Sequence, residues 1–362
     1  MTIRNKAQRN LKTDARMTPY DAKVKGTFAE NVTKQKDPPR KPTAEEQKAN
    51  NDAPVEYAKV TASVKRWVPL FRKELKVMNQ GKRGKPYSFC DSMIFWIMSL
   101  QTLIKGTYRT VAGIAAAAIE ENRLEAPSYS RLFERTAELI GKIADSEEGI
   151  FVLKASGNIT GRRRNVGIDS SGFNLSDTTL WRKDKWGTGP KNKGWLKLHA
   201  LCDTDSGEII AYAITSKSVG DSPILIPLLK AAKAAGHRIC RVYADGAYSS
   251  DENFRYVCDK CGLEFVTSFK VNTAPTNNGS QARGAAARLW CSLPYAEWVE
   301  VSGYGRRWKC ECTFSDLKRI FGETINAHSI KGAVRKLLMK TENFNRYKAL
   351  RWSILTSQLA TA

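Results

Sequence analysis

The sequence predicts an α/β protein: a mixed five-stranded sheet with flanking helices, preceded by an all-α domain and a disordered basic arm. Three observations support this prediction. Residues 1–53 contain almost no periodic apolar residues. Between residues 55 and 150 the apolar residues recur at helical spacing, whereas from Asn165 onward short apolar runs alternate with period two or end in turn residues. We therefore separate a helical domain, residues 54–150, from a sheet domain, residues 160–335.

The first segment, residues 1–53, is rich in Lys, Asn, Gln, Pro and Thr, with Pro38, Pro39 and Pro42 close together. Such a composition cannot bury enough apolar surface to fold alone. The predicted arm is either a solvated tail or a segment that lies along phosphates, and both alternatives stay open. The whole chain has 59 Lys plus Arg against 36 Asp plus Glu, a net charge of +23. A polyanion is therefore the expected partner.

No membrane partner is expected. The longest apolar run, residues 93–100, is far shorter than the roughly 20 residues that cross a bilayer. Basic residues near the start of the chain are not followed by the apolar core of a secretory signal, so we expect the protein to stay in the reducing cytoplasm. Its eight cysteines are then mostly thiols.

Four of these cysteines allow an alternative, a four-thiolate zinc site made by Cys258-x-x-Cys261 and Cys310-x-Cys312. Residues two apart on a helix point about 160° apart, so Cys310 and Cys312 are poorly placed to share one ion. Buried thiols are the better interpretation. No chemistry is assigned to the three histidines, which are His199, His237 and His328.

The helical domain is predicted to hold helices at residues 55–78, 88–104, 108–121 and 127–144. A short turn joins the last two, as in a helix-turn-helix whose second helix reads the major groove of DNA. Helical pairs of this kind are also plain packing units, and both interpretations stay open. The candidate DNA contacts at the start of the last helix are Tyr129, Ser130, Arg131 and Arg135.

The sheet domain is predicted to hold strands at residues 166–169, 195–202, 208–215, 238–245 and 264–269. Helices precede and follow the fourth strand, residues 270–301 are interpreted as a small insertion, and a long helix begins at Tyr304. Three antiparallel strands followed by helix, strand, helix, strand and helix is the element order of an RNase H-like α/β domain. Residues 336–362 are expected to form a C-terminal helical tail.

Three acids stand at comparable places in this topology. Asp169 and Asp245 end predicted strands, and Glu311 lies on the last helix. A strand end fixes a carboxylate at the rim of a sheet, so we expect the three to converge. Three carboxylates with no histidine among them suit Mg²⁺ or Mn²⁺ rather than zinc. The alternatives are a polar strand terminus at Asp169 and a turn-forming Asp-Gly at Asp245.

Four polar side chains share one face of the last predicted helix. Tyr304, Arg307, Glu311 and Lys318 fall at offsets 0, 3, 7 and 14. At about 100° per residue they project within an arc on the order of 60° wide. A carboxylate flanked by two cations and a phenol suits a site that handles a metal and a phosphate backbone. The alternative is a solvated face with an Arg307/Glu311 pair worth a few tenths of a kcal/mol.

The chain resembles the insertion-sequence DDE transposases that bear the Y-(2)-R-(3)-E-(6)-K signature, within the RNase H-like integrase superfamily. The resemblance covers residues 90–350 or so. It rests on the stretches Gly-Ile-Asp169-Ser-Ser and Tyr-Ala-Asp245-Gly-Ala-Tyr248, the four residues of the helix face, the stretch from Lys193 to His199, and Asp221. This resemblance implies that Asp169, Asp245 and Glu311 bind two divalent cations, Mg²⁺ or Mn²⁺. Water would attack a phosphodiester at the element end, and the freed 3′-hydroxyl would attack target DNA.

The resemblance also implies roles for the rest of the helix face. Arg307 and Lys318 would hold phosphates near the cleaved end, and Tyr304 would line the same DNA path. The implied partners are double-stranded DNA, as terminal inverted repeats and as target, and a second copy of the chain, since synapsis of two ends needs at least a homodimer. The implied location is a prokaryotic cytoplasm, in association with the nucleoid.

Two rival functions remain open at this point. One is a non-catalytic DNA-binding regulator derived from a transposase, and the other is an RNase H-like nuclease without strand transfer. Retention of all three acids and both cations favours the enzyme. Within the small insertion, Trp290 and Trp298 either pack in a core or stack on a displaced base.

Overall fold

A computed structural model of the chain describes residues 42–140, 149–175, 194–270, 273, 279–327 and 329–361. Most of the predicted arm therefore lies outside the described residues. None of the helices in these ranges has a stretch long and apolar enough to cross a membrane. The helices before the sheet are α1 (Ala44–Ala62), α2 (Val64–Asn79), α3 (Asp91–Ile104), α4 (Tyr108–Glu120) and α5 (Tyr129–Ile140).

Helix α1 begins at Ala44, nine residues before the predicted end of the disordered arm at residue 53, so that boundary is wrong. Thr43 caps the helix through a reciprocal pair of bonds: its hydroxyl accepts from the Glu46 N–H at 3.2 Å, and the Glu46 carboxylate accepts from the Thr43 N–H at 2.9 Å. Ala49, Ala53 and Tyr57 then recur every four residues and are buried. Two of these are small alanines among polar residues, which hid the helical pattern.

The chain continues as β1 (Ile150–Ala155), β2 (Arg163–Leu175), β3 (Trp195–Asp203), β4 (Ile209–Ser216), α6 (Leu225–Ala234), β5 (Arg238–Ala244), α7 (Asp251–Phe254) and β6 (Glu264–Thr267). It ends with α8 (Gln281–Ser292), α9 (Tyr295–Ser302), α10 (Trp308–Phe321), β7 (Thr324–Ile325) and α11 (Ile330–Thr361). Short 3₁₀ turns precede α6, follow β5 and precede α10.

The strands form one mixed sheet in the order β1-β4-β3-β2-β5-β6, with β7 beside the far end of β2. The β1–β4, β3–β4 and β2–β3 pairs are antiparallel, whereas β2–β5, β5–β6 and β2–β7 are parallel. The predicted mixed α/β sheet with flanking helices is confirmed, but it has seven strands rather than five. The two that were missed are weak signals: β1 buries Phe151 alone, and β7 has two residues.

Alternate residues of β2 face two different cores. Val166 and Ile168 pack with α6 and with the helices that follow β5. The other face, which carries Phe173, packs against α10, α11 and the N-terminal helices. The helical part and the sheet therefore share one apolar core.

Helix α11 is part of that shared core. It begins at Ile330, before the tail predicted to start at residue 336, and it buries Leu337, Phe344 and Tyr347. The Tyr57 hydroxyl of α1 donates to the Asn343 carboxamide oxygen at 2.9 Å. The C-terminal helix thus ties the first described helix to the sheet.

Candidate active site

Asp169 lies in the middle of β2, at the point where that strand stops pairing with β5. The parallel register runs to Gly167↔Tyr243, so Asp169 and Asp245 both follow the last pair by two residues. The two carboxylates therefore leave the sheet at the same place. The expectation that Asp169 ends its strand is wrong, because β2 continues to Leu175 through its pairing with β3.

Asp245 is held by the turn that follows β5. Its carboxylate accepts the Ala247 N–H at 2.9 Å and so caps the 3₁₀ turn Gly246–Tyr248. Its carbonyl accepts the Thr267 hydroxyl at 2.6 Å, which ties the turn to β6. The turn-forming alternative for Asp245 is thus realised, and it fixes the carboxylate beside Asp169.

Helix α10 reaches β2 because residue 167 is a glycine. A β-carbon built on Gly167 would lie 2.5 Å from the Cys310 sulfur, closer than real β-carbons approach. This contact places the next residue, Glu311, in the first turn of α10 on the face of β2 that carries Asp169. The structure thus brings the third acid to the other two.

The predicted single helix from Tyr304 is instead a 3₁₀ turn, Tyr304–Arg307, followed by α10. Gly303, with φ of 66°, ends α9 immediately before this turn. The tighter turn rotates Tyr304 away from the common face that regular helical geometry predicts for the four polar residues. Arg307 and Glu311 remain together across the junction.

Arg307 bridges two of the acids. Its side chain is buried, one terminal nitrogen (Nη1) lies 3.7 Å from Asp169 Oδ2, and the other (Nη2) donates to Glu311 Oε1. The guanidinium also lies 5.6 Å from the centre of the Tyr304 ring. Its Nε has no hydrogen-bond partner within the described residues. Because Asp169 takes part, this is not the solvated Arg307/Glu311 pair that was the alternative.

The carboxyl group of Asp169 lies within reach of the charges of Asp245 and Glu311. Burial raises the pKa of Asp169 to about 6, and the charges of Asp245 and Glu311 add to the rise. The Ser170 N–H, 2.8 Å from the carboxylate, and the Arg307 charge act in the opposite direction without cancelling it. A site that crowds carboxylates in this way favours a bound cation.

Lys318 lies two turns beyond Glu311 on α10. Its ammonium is 5.4 Å from the centre of the Phe173 ring, and Phe173 follows Asp169 by four residues on β2. The side chain is partly exposed. Arg307 and Lys318 therefore flank Glu311 along the face of α10 that meets β2.

Tyr304 and the two tryptophans of the small insertion form an aromatic cluster. The Trp298 ring lies 4.4 Å from Trp290 and 4.7 Å from Tyr304, and each of the three is at most 8% exposed. The Tyr304 hydroxyl is 3.2 Å from the Ser268 hydroxyl. The structure thus places Tyr304 in a core rather than on a surface that DNA reaches, and it gives the tryptophans a packing role.

A second polar group beside Asp169 was not recognised from the sequence. Asp221 Oδ1 lies 2.7 Å from the Lys197 ammonium and 3.4 Å from His199 Nδ1. Burial would raise the pKa of Asp221, but hydrogen bonds from Lys197 and Ser170 lower it below its usual value. Burial also lowers the pKa of His199 to about 4, so the imidazole is neutral. The sequence signal for this group is that Lys197 and His199 lie two residues apart on one strand, so that both side chains project from the same face of the sheet.

Of the helical candidates, three lie at the exposed start of α5. Tyr129 is 45% exposed beneath the Arg109 guanidinium, Ser130 is exposed, and Arg131 pairs with Glu134 at 2.9 Å. The fourth candidate differs, because Arg135 is held at 2.7 Å by Asp91 of α3 and at 2.7 Å by Glu138. The structure therefore gives Arg135 a packing role between α3 and α5.

The chemistry of the donor set decides which metal would fit. Within the described ranges no group of three or more His, Cys, Asp or Glu side chains is arranged to hold a metal ion. The Arg307 guanidinium lies between Asp169 and Glu311 and offsets part of their negative charge. Three carboxylates are nonetheless hard oxygen donors that fit Mg²⁺ or Mn²⁺. The zinc alternative does not fit, because Cys310 is fully buried against Gly167.

A sequence model of the family described as "Transposase DDE domain" matches residues 161–341. That range contains all three acids together with Arg307 and Lys318. Among solved structures, the chain is similar to a piggyBac transposase synaptic complex with hairpin DNA, with 9% identity, a TM-score of 0.38, and coverage of 85% of this chain and 76% of that one. It is also similar to a Drosophila P element transposase strand transfer complex, with 10% identity, a TM-score of 0.29, and coverage of 78% and 84%.

Replacing Gly167 with alanine tests the contact that brings Glu311 to the sheet. We expect the free energy of unfolding to fall by about 1–3 kcal/mol, since the new methyl group overlaps the Cys310 sulfur. The double variant Gly167→Ala/Cys310→Ala removes that sulfur and should recover part of the lost stability. Urea unfolding of a double-mutant cycle should therefore give a coupling energy of about 1 kcal/mol.

The matched control is Gly113→Ala on α4, where a β-carbon meets nothing within 4 Å. There the substitution should leave stability unchanged or raise it by about 0.4–1 kcal/mol. If Gly167→Ala behaves like Gly113→Ala, or if the Cys310 change brings no recovery, α10 does not pack on β2 at this glycine.

Proposed function

Because the chain belongs to the Transposase DDE domain family, whose sequence model matches residues 161–341, we propose that Asp169, Asp245 and Glu311 are the catalytic carboxylates of this transposase. The reaction is cleavage of DNA and transfer of the cut strand. The observation that supports the residue assignment is that Arg307 bridges Asp169 and Glu311 at the point where β2 and β5 separate, the point that Asp245 also follows by two residues.

The three carboxylates would hold two divalent cations, Mg²⁺ or Mn²⁺. When bound, these ions would activate the attacking oxygen and stabilise the leaving oxygen of a phosphodiester. The protein's own contribution is to fix the carboxylates on two strands and a helix, with Asp245 anchored by Ala247 and Thr267. Rigid placement of this kind supplies much of the rate of phosphoryl transfer.

Arg307 and Lys318 are proposed to hold the DNA backbone. The planar Arg307 guanidinium matches two phosphate oxygens, and its unpaired Nε offers a donor beyond the two that face acids. Lys318 lies seven residues beyond Glu311, about 10 Å along the helix axis, and supplies a point charge for a second phosphate. Tyr304 acts indirectly, because its buried ring packs beside the Arg307 guanidinium.

The helical part is proposed to bind the terminal inverted repeats of the element, with Tyr129, Ser130 and Arg131 at the exposed start of α5. The catalytic part would act on those ends and on target DNA, and two copies of the chain would pair the two ends. The rivals, a regulator that does not cut and a nuclease that does not join, lack the strand-transfer step. Cut ends that join a target plasmid separate the enzyme from both.

Asp245→Asn should reduce cleavage of duplex DNA carrying the element's ends by about 100-fold or more in the presence of Mg²⁺, since it removes one carboxylate from the site while keeping its shape. Single-turnover cleavage on a denaturing gel measures the effect. DNA binding by the same variant should stay within a few-fold of the wild type.

Glu297→Gln serves as the control, because Glu297 is exposed on α9, away from the three acids. It should cleave at the wild-type rate. Wild-type cleavage by Asp245→Asn would remove the catalytic assignment, and efficient cleavage without any joined product would support the nuclease instead.

Arg131→Ala should weaken binding to the terminal repeat by about 1–3 kcal/mol and weaken binding to random duplex much less, as expected for a side chain that reads base edges. Arg135→Ala is the informative comparison. It breaks the ion pairs to Asp91 and Glu138, so it should lower the unfolding midpoint without changing the ratio of specific to random binding. Fluorescence anisotropy titrations measure the affinity of each variant for the terminal repeat and for the random duplex. If Arg131→Ala loses affinity equally for the two duplexes, Arg131 contacts only a phosphate.

A further inference from the structure

A cavity of about 250 Å³ lies where the helical part meets the sheet. Its walls come from the end of α3, the end of α10, the β7 segment and the first turns of α11. It contains none of the three acids of the active site. The side chains that matter for its chemistry are Gln101, Lys105, Glu323, Lys336 and Lys340.

Three ammonium groups meet at this cavity. Lys340 is 8% exposed, and its ammonium donates to the carbonyls of Gly322 at 2.7 Å and Thr324 at 2.9 Å. Lys336, one turn earlier on α11, donates to the Asn326 carbonyl. Lys105 comes from the helical part, and its ammonium lies 3.5 Å from where a Gly322 β-carbon would be.

Within the described residues, the three lysines have no acidic partner. In the part of the chain that the structure describes, neither Glu323 nor any other carboxylate forms an ion pair with them. Burial, together with the charges of Lys105 and Lys336, lowers the pKa of Lys340 to about 8. Like charges held together at a partly buried place repel one another, and a bound anion relieves that repulsion.

A second, independent observation comes from Gln101. Its side chain lines the cavity and is 4% exposed, yet its amide nitrogen has no hydrogen-bond partner among the described residues. A buried donor without an acceptor costs about 1–3 kcal/mol. The cavity thus offers an unpaired N–H donor beside three ammonium groups, a combination that calls for a ligand with several acceptor oxygens and negative charge.

Helix α10 connects the active site, at its first turn, with the cavity, at its last turn. Glu311 is in the first turn of α10 and Phe321, at the end of that helix, lines the cavity. Ten residues of helix span about 15 Å, and Lys318 lies between the two ends. A DNA strand that follows α10 covers this distance in about four nucleotides at a rise of 3.4 Å each.

We propose that this cavity binds a backbone phosphate of the DNA on which the enzyme acts, held by Lys105, Lys336, Lys340 and the Gln101 amide. The proposal rests on the proposed function, because it takes the bound DNA to run along α10. A cavity of this size is smaller than a typical ligand pocket of about 300–1,000 Å³, so it suits a phosphate and its sugar rather than a whole nucleotide. Since Lys105 belongs to the helical part, the phosphate would add a polar bridge between that part and the catalytic sheet, which already share one apolar core.

The test is DNA binding by the full-length protein over a range of salt concentrations, in an Asp245→Asn background so that no strand is cut. Lys336→Gln and Lys340→Met should each weaken binding to duplex DNA by several-fold and should reduce the slope of log K against log [salt] by about 0.9 for the phosphate that is lost. Circular dichroism establishes that each variant is folded. Lys336 is partly exposed, so its variant remains informative if Lys340→Met does not fold.

The matched control is Lys233→Gln, which removes an exposed lysine on α6 at the opposite face of the sheet. It should leave both the affinity and the slope unchanged. If Lys336→Gln and Lys340→Met show the same salt slope as Lys233→Gln, no DNA phosphate occupies the cavity and the proposal is wrong.

A second experiment distinguishes a DNA backbone phosphate from free inorganic phosphate as the ligand of the cavity. Thermal unfolding in millimolar inorganic phosphate is compared with chloride at equal ionic strength, without DNA. A rise in Tm that Lys336→Gln abolishes, together with unchanged DNA binding, would assign the cavity to a free phosphate and overturn the proposal. Cleavage that survives in Asp245→Asn would overturn the proposed catalytic residues instead, and the salt slopes would still report on the cavity.

Discussion

The contact between Gly167 of β2 and Cys310 of α10 is the constraint on which the rest of the site depends. A helix that carries Cys310 at this distance from a strand places Arg307 one turn before, Glu311 next to it, and Lys318 two turns beyond, all along one strand. The acids on the sheet are placed by a separate constraint, the end of the β2–β5 register at Gly167↔Tyr243. One glycine thus belongs to both constraints.

Arg307 provides a positive charge within the group of three acids. Burial alone would favour the protonated form of Asp169, and Asp245 and Glu311 add to that tendency. A buried guanidinium between Asp169 and Glu311 offsets part of this repulsion. The proposed role of Arg307 as a phosphate ligand would make bound DNA and the two acids compete for the same guanidinium. The lysine cavity at the other end of α10 has the opposite imbalance, because three lysines and a single acid, Glu323, line it.

The sequence was sufficient for the class of fold, and it singled out the three acids that stay a prediction, because strand runs that end in aspartate and a helix with fixed spacing are local patterns. It placed Tyr304 wrongly, since the 3₁₀ turn that rotates this residue depends on the glycine before it and on the Trp298 ring. The start of α1 was missed because its burial comes from contacts with α11, almost three hundred residues away. The packing role of Arg135 was missed for a similar reason, because its partner Asp91 lies on another helix.

The most direct test of the account is whether the three acids form a single cation site. Electron paramagnetic resonance of free Mn²⁺ in a titration with the protein, without DNA, measures this independently of any cleavage. The account predicts that Asp169→Asn and Glu311→Gln, whose side chains lie on different elements, each weaken Mn²⁺ binding by about 10-fold or more. Mn²⁺ binding equal to wild type in both variants would show that α10 does not bring Glu311 into a site with Asp169.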